Sequence, residues 1–199
     1  IGTLTKCFSL GHDTANDIIY ASAFEGFNIV YWDSTNRKDL GGSGLPKTAI
    51  SVVHNLHTIT VNNSHTNNGY ADIWATTNEL SSANKLTLYF RNGTTWSSVN
   101  FTSLIDAIEV AYVMKNVIVD ANGDVFVTGY LPSVGNIILK FMYSGSGNYY
   151  SVANWSVVQL LEPNGNGYVN GDGQTAEMLN PDAGIEIISY DSTIGATSG

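Results

Sequence analysis

The 199 residues of this chain have the composition of a folded protein with few charges, since 43% are hydrophobic, 13% are charged and the net charge is −9. This balance excludes disorder, because disordered chains are poor in apolar residues. It also argues against nucleic acid as a partner and against membrane insertion. Nucleic-acid binding needs a basic surface, which eight Lys and Arg residues at a net charge of −9 do not favour. A transmembrane helix needs a long apolar run, which this sequence lacks.

The first part of the chain predicts short strands joined by turns. Val, Ile, Thr and aromatic residues, which favour strands, are interspersed with Gly, Asn and Ser, which favour turns. Residues 17–22 (DIIYAS) and 28–32 (NIVYW) are the first clear strands. The Gly-rich residues 41–47 that follow lack the ending of a phosphate-binding loop, so we predict a connecting segment there.

The middle of the chain contains an internal repeat of such strands. The correspondence covers three successive strands, namely residues 56–62 (LHTITVN) with 114–120 (MKNVIVD), 71–76 (ADIWAT) with 123–128 (GDVFVT), and 86–90 (LTLYF) with 138–142 (ILKFM). Trp74 and Phe126 occupy the same position in the repeat, and we predict that both are core residues.

Each copy of the repeat predicts a unit of four short strands, and such a unit must stack on its neighbours to bury both of its faces. We therefore predict one all-β domain over residues 1–199. Its units run roughly over residues 1–48, 49–106, 107–163 and 164–199, and the last of them is incomplete.

The most regular hairpin of the repeat carries a family resemblance. Residues 117–130 (VIVDANGDVFVTGY) resemble the repeat of bacterial and archaeal extracellular β-propellers, in which a strand, a D-x-N-G turn and a V-[YF]-V-[TA]-G strand recur. The resemblance implies a β-propeller-like array of about four antiparallel four-stranded blades with a binding or scaffolding role. A β-sandwich is the alternative fold, since it also uses short strands and Gly/Asn turns.

The turn of this hairpin offers three alternating oxygen side chains, Asp120, Asn122 and Asp124, which suit Ca²⁺. However, the glycine is misplaced for an EF-hand loop, and Asn–Gly is also the pair that a type I′ turn requires. We therefore predict a structural turn and no metal or other cofactor, with calcium as the weaker alternative.

Two tryptophans are the candidate ligand-binding residues. Trp96 and Trp155 each flank a predicted turn, and sugar-binding propellers stack pyranose rings on aromatic side chains. Residues 93–96 (GTTW) are similar to the end of the sialidase Asp-box, a hairpin between the third and fourth strands of a blade. Arg91 and Tyr89 occupy the positions of its Asp and Ser, so sialidase chemistry is not expected.

No catalytic residue is predicted, because no Ser, Cys or His stands in a pattern typical of a nucleophile or a metal ligand. The alternative is a glycoside-active enzyme that uses two loop carboxylates. The candidates for that pair are Glu79, Asp106, Glu109, Glu162, Glu177 and Asp182.

Four N-x-S/T sequons lie in or beside predicted turns, at Asn62, Asn92, Asn100 and Asn154. With the low charge and the single cysteine, they predict a glycosylated protein that is extracellular or on a cell or virion surface. We expect a non-enzymatic module that acts in adhesion, binds a glycan or a surface protein, or builds a filament or virion surface. A homo-oligomer formed by strand exchange is one version, since an unpaired strand edge accepts a further strand.

Overall fold

The computed structural model describes residues 7–23, 28–32, 48–51, 56–77 and 83–161, and its strands form three antiparallel sheets of four strands each. The first sheet contains β1 (Cys7–Asp13), β2 (Ile18–Ala23), β3 (Asn28–Trp32) and β4 (Thr48–Ser51). The second contains β5 (Leu56–Asn67), β6 (Tyr70–Thr77), β7 (Leu86–Asn92) and β8 (Thr95–Asn100). The third contains β9 (Val113–Val119), β10 (Val125–Leu131), β11 (Gly135–Tyr143) and β12 (Trp155–Leu161).

The prediction of an all-β chain built from four-stranded units is confirmed for these residues. In every sheet the strands lie side by side in chain order. A short helix, α1 (Thr102–Asp106), connects the second sheet to the third, and a 3₁₀ turn (Val152–Asn154) precedes β12. The described strands form three sheets, one more than the two of the alternative prediction, a sandwich.

Strand pairing confirms the repeat between the second and third sheets. Val61 of β5 pairs with Ile73 of β6, and Val119 of β9 pairs with Val125 of β10. These four residues are the ones that the sequence alignment places at equivalent positions. The third strands, β7 and β11, continue in the same register.

One predicted unit boundary is wrong. Residues 48–51 form β4, which pairs with β3 and completes the first sheet, so the first unit runs to Ser51. The prediction ended this unit at residue 48, because residues 49–52 (AISV) look like residues 107–110 (AIEV). Residues 164–199, the predicted fourth unit, lie outside the described residues.

The sheets stack through their first strands, since β1 lies against β5 and β5 against β9. The approach of β1 to β5 is close, because a Cβ on Gly11 would lie 2.4 Å from Val61 Cγ2. Polar contacts add to this packing: the Ser9 hydroxyl donates to the Ile59 carbonyl at 2.8 Å. The second sheet is therefore covered on both faces.

Burial of the two aligned aromatic residues follows from this stacking. Trp74 is fully buried in a cluster with Phe101 and Trp155 between the second and third sheets, as predicted. The prediction that Phe126 is a core residue is wrong, since its ring is only half-buried and Lys140 Nζ lies 5.4 Å from the ring centroid. The third sheet is covered by the described residues on one face, and Phe126 lies on the other.

The two Asn–Gly turns, at Asn68–Gly69 and Asn122–Gly123, have different backbone conformations although their sequences are alike. Asn68 and Gly69 both have positive φ, 50° and 80°, and form the two-residue type I′ connection of β5 and β6. The type I′ turn predicted at Asn122–Gly123 is wrong. Gly123 alone has positive φ there, and its N–H donates to the Asp120 carbonyl at 3.1 Å, so the turn spans residues 120–123.

Candidate binding cleft

A cleft of about 340 Å³ opens between the first and second sheets, beside the turns that join β1 to β2, β5 to β6 and β7 to β8. Ligand pockets in proteins start at about 300 Å³, so this cleft has the size for one or two small rings. Its lining is aromatic with a single cation, and consists of Asn16, Ile18, Tyr20, Tyr31, Tyr70, Arg91 and Trp96.

Cross-strand pairing places the aromatic side chains of the cleft. Tyr20 of β2 pairs with Tyr31 of β3, and their ring centroids are 5.6 Å apart. Trp96 of β8 approaches from the second sheet and meets Tyr20 edge-on at 5.9 Å. Tyr20 is fully buried, whereas Tyr31 and Trp96 are half-buried and keep part of their rings open. The cleft therefore has partly exposed aromatic surface on both sides.

Arg91 is held above this aromatic surface. It pairs with Trp96 across β7 and β8, and its guanidinium carbon lies 5.1 Å from the Tyr70 ring centroid and 6.0 Å from that of Trp96. Its Nε donates to the Gly93 carbonyl at 3.2 Å. No carboxylate of the described residues forms an ion pair with Arg91. Its guanidinium is instead positioned by two ring faces and one backbone carbonyl, and its remaining N–H groups can donate to a ligand.

A buried carboxylate ties the two sheets together beneath the cleft. Asp13 is fully buried and accepts hydrogen bonds from the backbone N–H groups of Ala15, Asn16 and Ala71, at 3.0–3.1 Å. The Asn16 amide also donates to it at 2.9 Å and to the Gly69 carbonyl at 2.6 Å. Because Ala71 and Gly69 belong to the second sheet, these bonds set the spacing of the cleft walls before any ligand binds.

Two buried donors of the cleft have no hydrogen-bond partner among the described residues, the Tyr20 hydroxyl and the Trp96 Nε1–H. Burial raises the pKa of Tyr20 far above its ordinary value of 10.0, and the nearby Asp13 charge raises it further. The Tyr20 hydroxyl is therefore protonated and can donate. Most buried polar groups in proteins are bonded, to protein or to water, so an acceptor from water or from a ligand would satisfy these two donors.

The two predicted ligand-binding tryptophans have different surroundings, although each lies at the start of the fourth strand of its sheet. Trp96 lines the cleft. Trp155 is 6% exposed, its Nε1 donates to the Tyr149 carbonyl at 2.8 Å, and the rings of Tyr149 and Phe101 lie 4.9 and 5.4 Å from it. Those rings fill the space between the second and third sheets, so Trp155 offers no open face to a ligand.

The predicted glycosylation sites also differ in accessibility. Asn62 is 2% exposed and its Nδ2 donates to the Tyr149 hydroxyl at 3.2 Å, so a glycan on it is incompatible with the folded structure. The amides of Asn100 and Asn154 donate to backbone carbonyls at 2.6 and 2.8 Å. Asn92 is exposed at the Gly93–Thr94 turn and is the sequon that could carry a glycan with the least disturbance.

The carboxylates among the weak calcium candidates, Asp120 and Asp124, already contact N–H groups and a lysine of the third sheet. Asp120 Oδ1 accepts the backbone N–H groups of Asn122 and Asp124, each at 2.9 Å, and Asp124 Oδ2 lies 2.7 Å from Lys140 Nζ. Asp13 and Asn62 also accept the N–H two residues ahead, although Asn62 lies within β5 and not at the turn that joins β5 to β6. Across the described segments, no group of three His, Cys, Asp or Glu side chains could hold a metal ion.

Of the six carboxylates of the enzyme alternative, the described residues include two, and each of these has a hydrogen-bond partner. Asp106 accepts from Lys85 Nζ at 2.6 Å, and Glu109 Oε1 accepts the Ala111 N–H at 2.9 Å. The remaining four candidates, Glu79, Glu162, Glu177 and Asp182, lie outside the described residues.

A second polar cluster joins the second and third sheets. His65 Nδ1 lies 2.6 Å from Oδ2 of Asp72, which is fully buried, and the Tyr150 hydroxyl lies 3.3 Å from both carboxylate oxygens. The His65 ring stacks on Tyr149 with 3.5 Å between centroids. Burial raises the pKa of the Asp72 carboxyl above 3.8, and the bonds from His65 and Tyr150 offset part of this rise.

This cluster predicts a pH-dependent contribution to stability. Because the folded protein binds the Asp72 proton more tightly than the unfolded chain, the free energy of unfolding falls as the pH rises from about 3.8 through the raised value. Asp72→Asn removes this titration, so its unfolding free energy should fall less steeply across that window. Urea denaturation at a series of pH values measures the two slopes.

Asp17→Asn provides the matched control for this comparison, because Asp17 also contacts a histidine (His12, at 3.2 Å) but its side chain is 57% exposed. We expect its slope to stay closer to that of the wild type. Equal slopes for the wild type and Asp72→Asn would contradict the coupling of Asp72 protonation to folding.

No protein-family model matches the sequence, and no curated protein is significantly similar to it. Among the described residues, no helix has the length and apolar character needed to span a membrane. The cleft geometry is therefore the main basis for a functional proposal. Sequence reasoning identified Trp96 as a candidate but did not group it with its neighbours in the cleft, since the cleft is formed between two repeat units.

Proposed function

We propose that this protein is a β-propeller-like, non-enzymatic module that binds a glycan in the cleft between its first and second sheets. The observation that carries the proposal is the pairing of partly exposed aromatic rings with unpartnered donors in one preformed cleft. Sugar rings present apolar C–H faces and a rim of oxygen acceptors, and these two surfaces match the rings and the donors respectively.

The stacking of the sheets supports the propeller part of the proposal. Propeller blades are four-stranded antiparallel sheets in chain order, arranged radially with their first strands around a central axis. The described sheets have this strand order, and β1, β5 and β9 lie next to one another. The predicted fourth unit, residues 164–199, is incomplete, and single-particle imaging of the purified protein would distinguish a closed ring from an open arc.

A surface location fits this function, with adhesion or glycan capture as the role. The exposed sequon at Asn92 supports it, because it lies at a turn where a glycan would project into solvent. A filament or virion-surface subunit formed by strand exchange is a different version of the same module. The strand-exchange version requires that the protein self-associates as its concentration rises, and native mass spectrometry would detect this.

Replacing Trp96 tests the binding function. We expect Trp96→Ala to weaken glycan binding at least about tenfold, which corresponds to about 1.4 kcal/mol, because it removes stacking surface and one donor. A printed array of neutral and acidic glycans selects the ligand, and titration calorimetry with the selected glycan measures the change.

Phe126→Ala is the matched control. Phe126 is another half-buried aromatic residue beneath a cation, Lys140, but it lies on the third sheet away from the cleft. Its replacement should leave the affinity unchanged. The proposal would be overturned by the absence of any array ligand, or by equal effects of the two replacements.

A further inference from the structure

The donors of the cleft point to a narrower ligand class, and we infer that the cleft selects glycans that carry a carboxylate. This inference rests on the proposed glycan-binding function. Arg91 is the single cation that lines the cleft, and the Trp96 Nε1–H and the Tyr20 hydroxyl are donors buried in its wall without a partner among the described residues. A ligand rich in acceptors and bearing a negative charge is complementary to them.

Arg91 is positioned for a planar anion. Its guanidinium lies over the Tyr70 ring at 5.1 Å, and its Nε is fixed by the Gly93 carbonyl. The terminal NH₂ groups therefore remain for a ligand, in the fork geometry that binds a carboxylate through two parallel hydrogen bonds. Of the four cations that the structure describes, Lys85 and Lys140 already form ion pairs with aspartates, whereas Arg91 forms none with a described carboxylate.

Two acidic groups lie near the cleft, and neither forms an ion pair with Arg91. Asp13 lies beneath the cleft but is fully buried and accepts four hydrogen bonds from N–H groups. Asp17 lies beside Asn16 and Ile18, and its carboxylate contacts His12 at 3.2 Å. Arg91 is one of eight Lys and Arg residues in a chain of net charge −9, and it is the single cation that lines the cleft.

Selection among sugars follows from this arrangement. A hydroxyl in place of the carboxylate forms single hydrogen bonds with the guanidinium and gains no ionic contribution. We expect a uronate or sialate to bind at least about tenfold more tightly than its uncharged analogue, which corresponds to about 1.4 kcal/mol. Uronic acids and sialic acids share this chemistry, so both are tested.

The test compares matched ligands by titration calorimetry. The probes are an oligogalacturonate trisaccharide with its carboxyl methyl ester, and the methyl glycoside of N-acetylneuraminic acid with its methyl ester. Wild-type protein should prefer at least one free acid over its ester by about tenfold, and this preference should shrink as salt is added. The acid that shows the preference identifies the sugar class.

Arg91→Met should abolish the preference for the acid while the ester still binds, because the stacking rings remain. Lys140→Met is the matched control, since it removes one positive charge above another aromatic ring, Phe126, outside the cleft, and it should leave the preference intact. Equal binding of acid and ester by the wild type, or an unchanged preference in Arg91→Met, would overturn the inference and leave the proposed function standing. Failure of every glycan to bind would overturn both.

Discussion

Gly129→Ala is expected to destabilise the third sheet by about 3 kcal/mol, the upper part of the range for overpacking a core. A Cβ at this position would lie 2.2 Å from the Val113 carbonyl oxygen and 2.9 Å from Met114 Cε. The first of these atoms belongs to the backbone of β9 and cannot rotate away. Chemical denaturation monitored by tryptophan fluorescence measures the loss.

The reason for this close approach is local. The pairing of β9 with β10 shifts register between Thr128 and Gly129, which brings the Val113 carbonyl over the glycine. This contact explains the glycine at the end of the V-F-V-T-G strand.

Gly123→Ala separates the clash from the general cost of replacing a glycine in the same hairpin. Gly123 has a φ of 85°, and a Cβ there meets open space, so its replacement should cost about 1 kcal/mol from the backbone angle alone. Equal destabilisation by the two replacements would contradict the steric explanation.

Asp106→Asn is expected to lower the free energy of unfolding by about 2 to 3 kcal/mol. Lys85 is 2% exposed, and its ammonium contacts Asp106 Oδ1 at 2.6 Å and the Val110 carbonyl. Loss of the carboxylate charge leaves a buried cation without a counter-charge. The effect stays below that of a fully buried pair, because the Asp106 side chain is 36% exposed and water screens the charge.

A pair of further variants shows whether the buried charge is responsible. Lys85→Met keeps the apolar stem and leaves Asp106 partly solvated, so it should cost less than about 1 kcal/mol. Adding Asp106→Asn to Lys85→Met should then change little. If Asp106→Asn costs the same with and without the lysine, the cost does not come from the ion pair.

Local features of the fold were predictable from the sequence because the physics that sets them is local. Alternation and turn residues identify the strands, and the match of residues 56–62 to 114–120 fixes the register of two sheets. The turn at Asp120 was harder, since Asn–Gly suits several turn types. Its actual geometry depends on the Asp120 side chain, which accepts two N–H groups.

The cleft could not be predicted, because it depends on how neighbouring sheets fit together. Trp96 and Trp155 begin equivalent strands, and each faces the preceding sheet. Phe101 and Tyr149 fill the space beside Trp155, whereas no corresponding side chain of the described residues closes the cleft beside Trp96. This difference arises from the packing between neighbouring sheets and is not encoded in the sequence of either strand alone.

Titration of the isotope-labelled protein with the array-selected glycan, followed through its tryptophan indole N–H resonances, tests the binding cleft most directly. Four tryptophans give separate signals. Glycan binding in the cleft predicts a saturable shift of the Trp96 signal, because this residue lines the cleft, while the signals of buried Trp74 and Trp155 stay in place. A bound glycan that leaves Trp96 unshifted would contradict the cleft as the binding site.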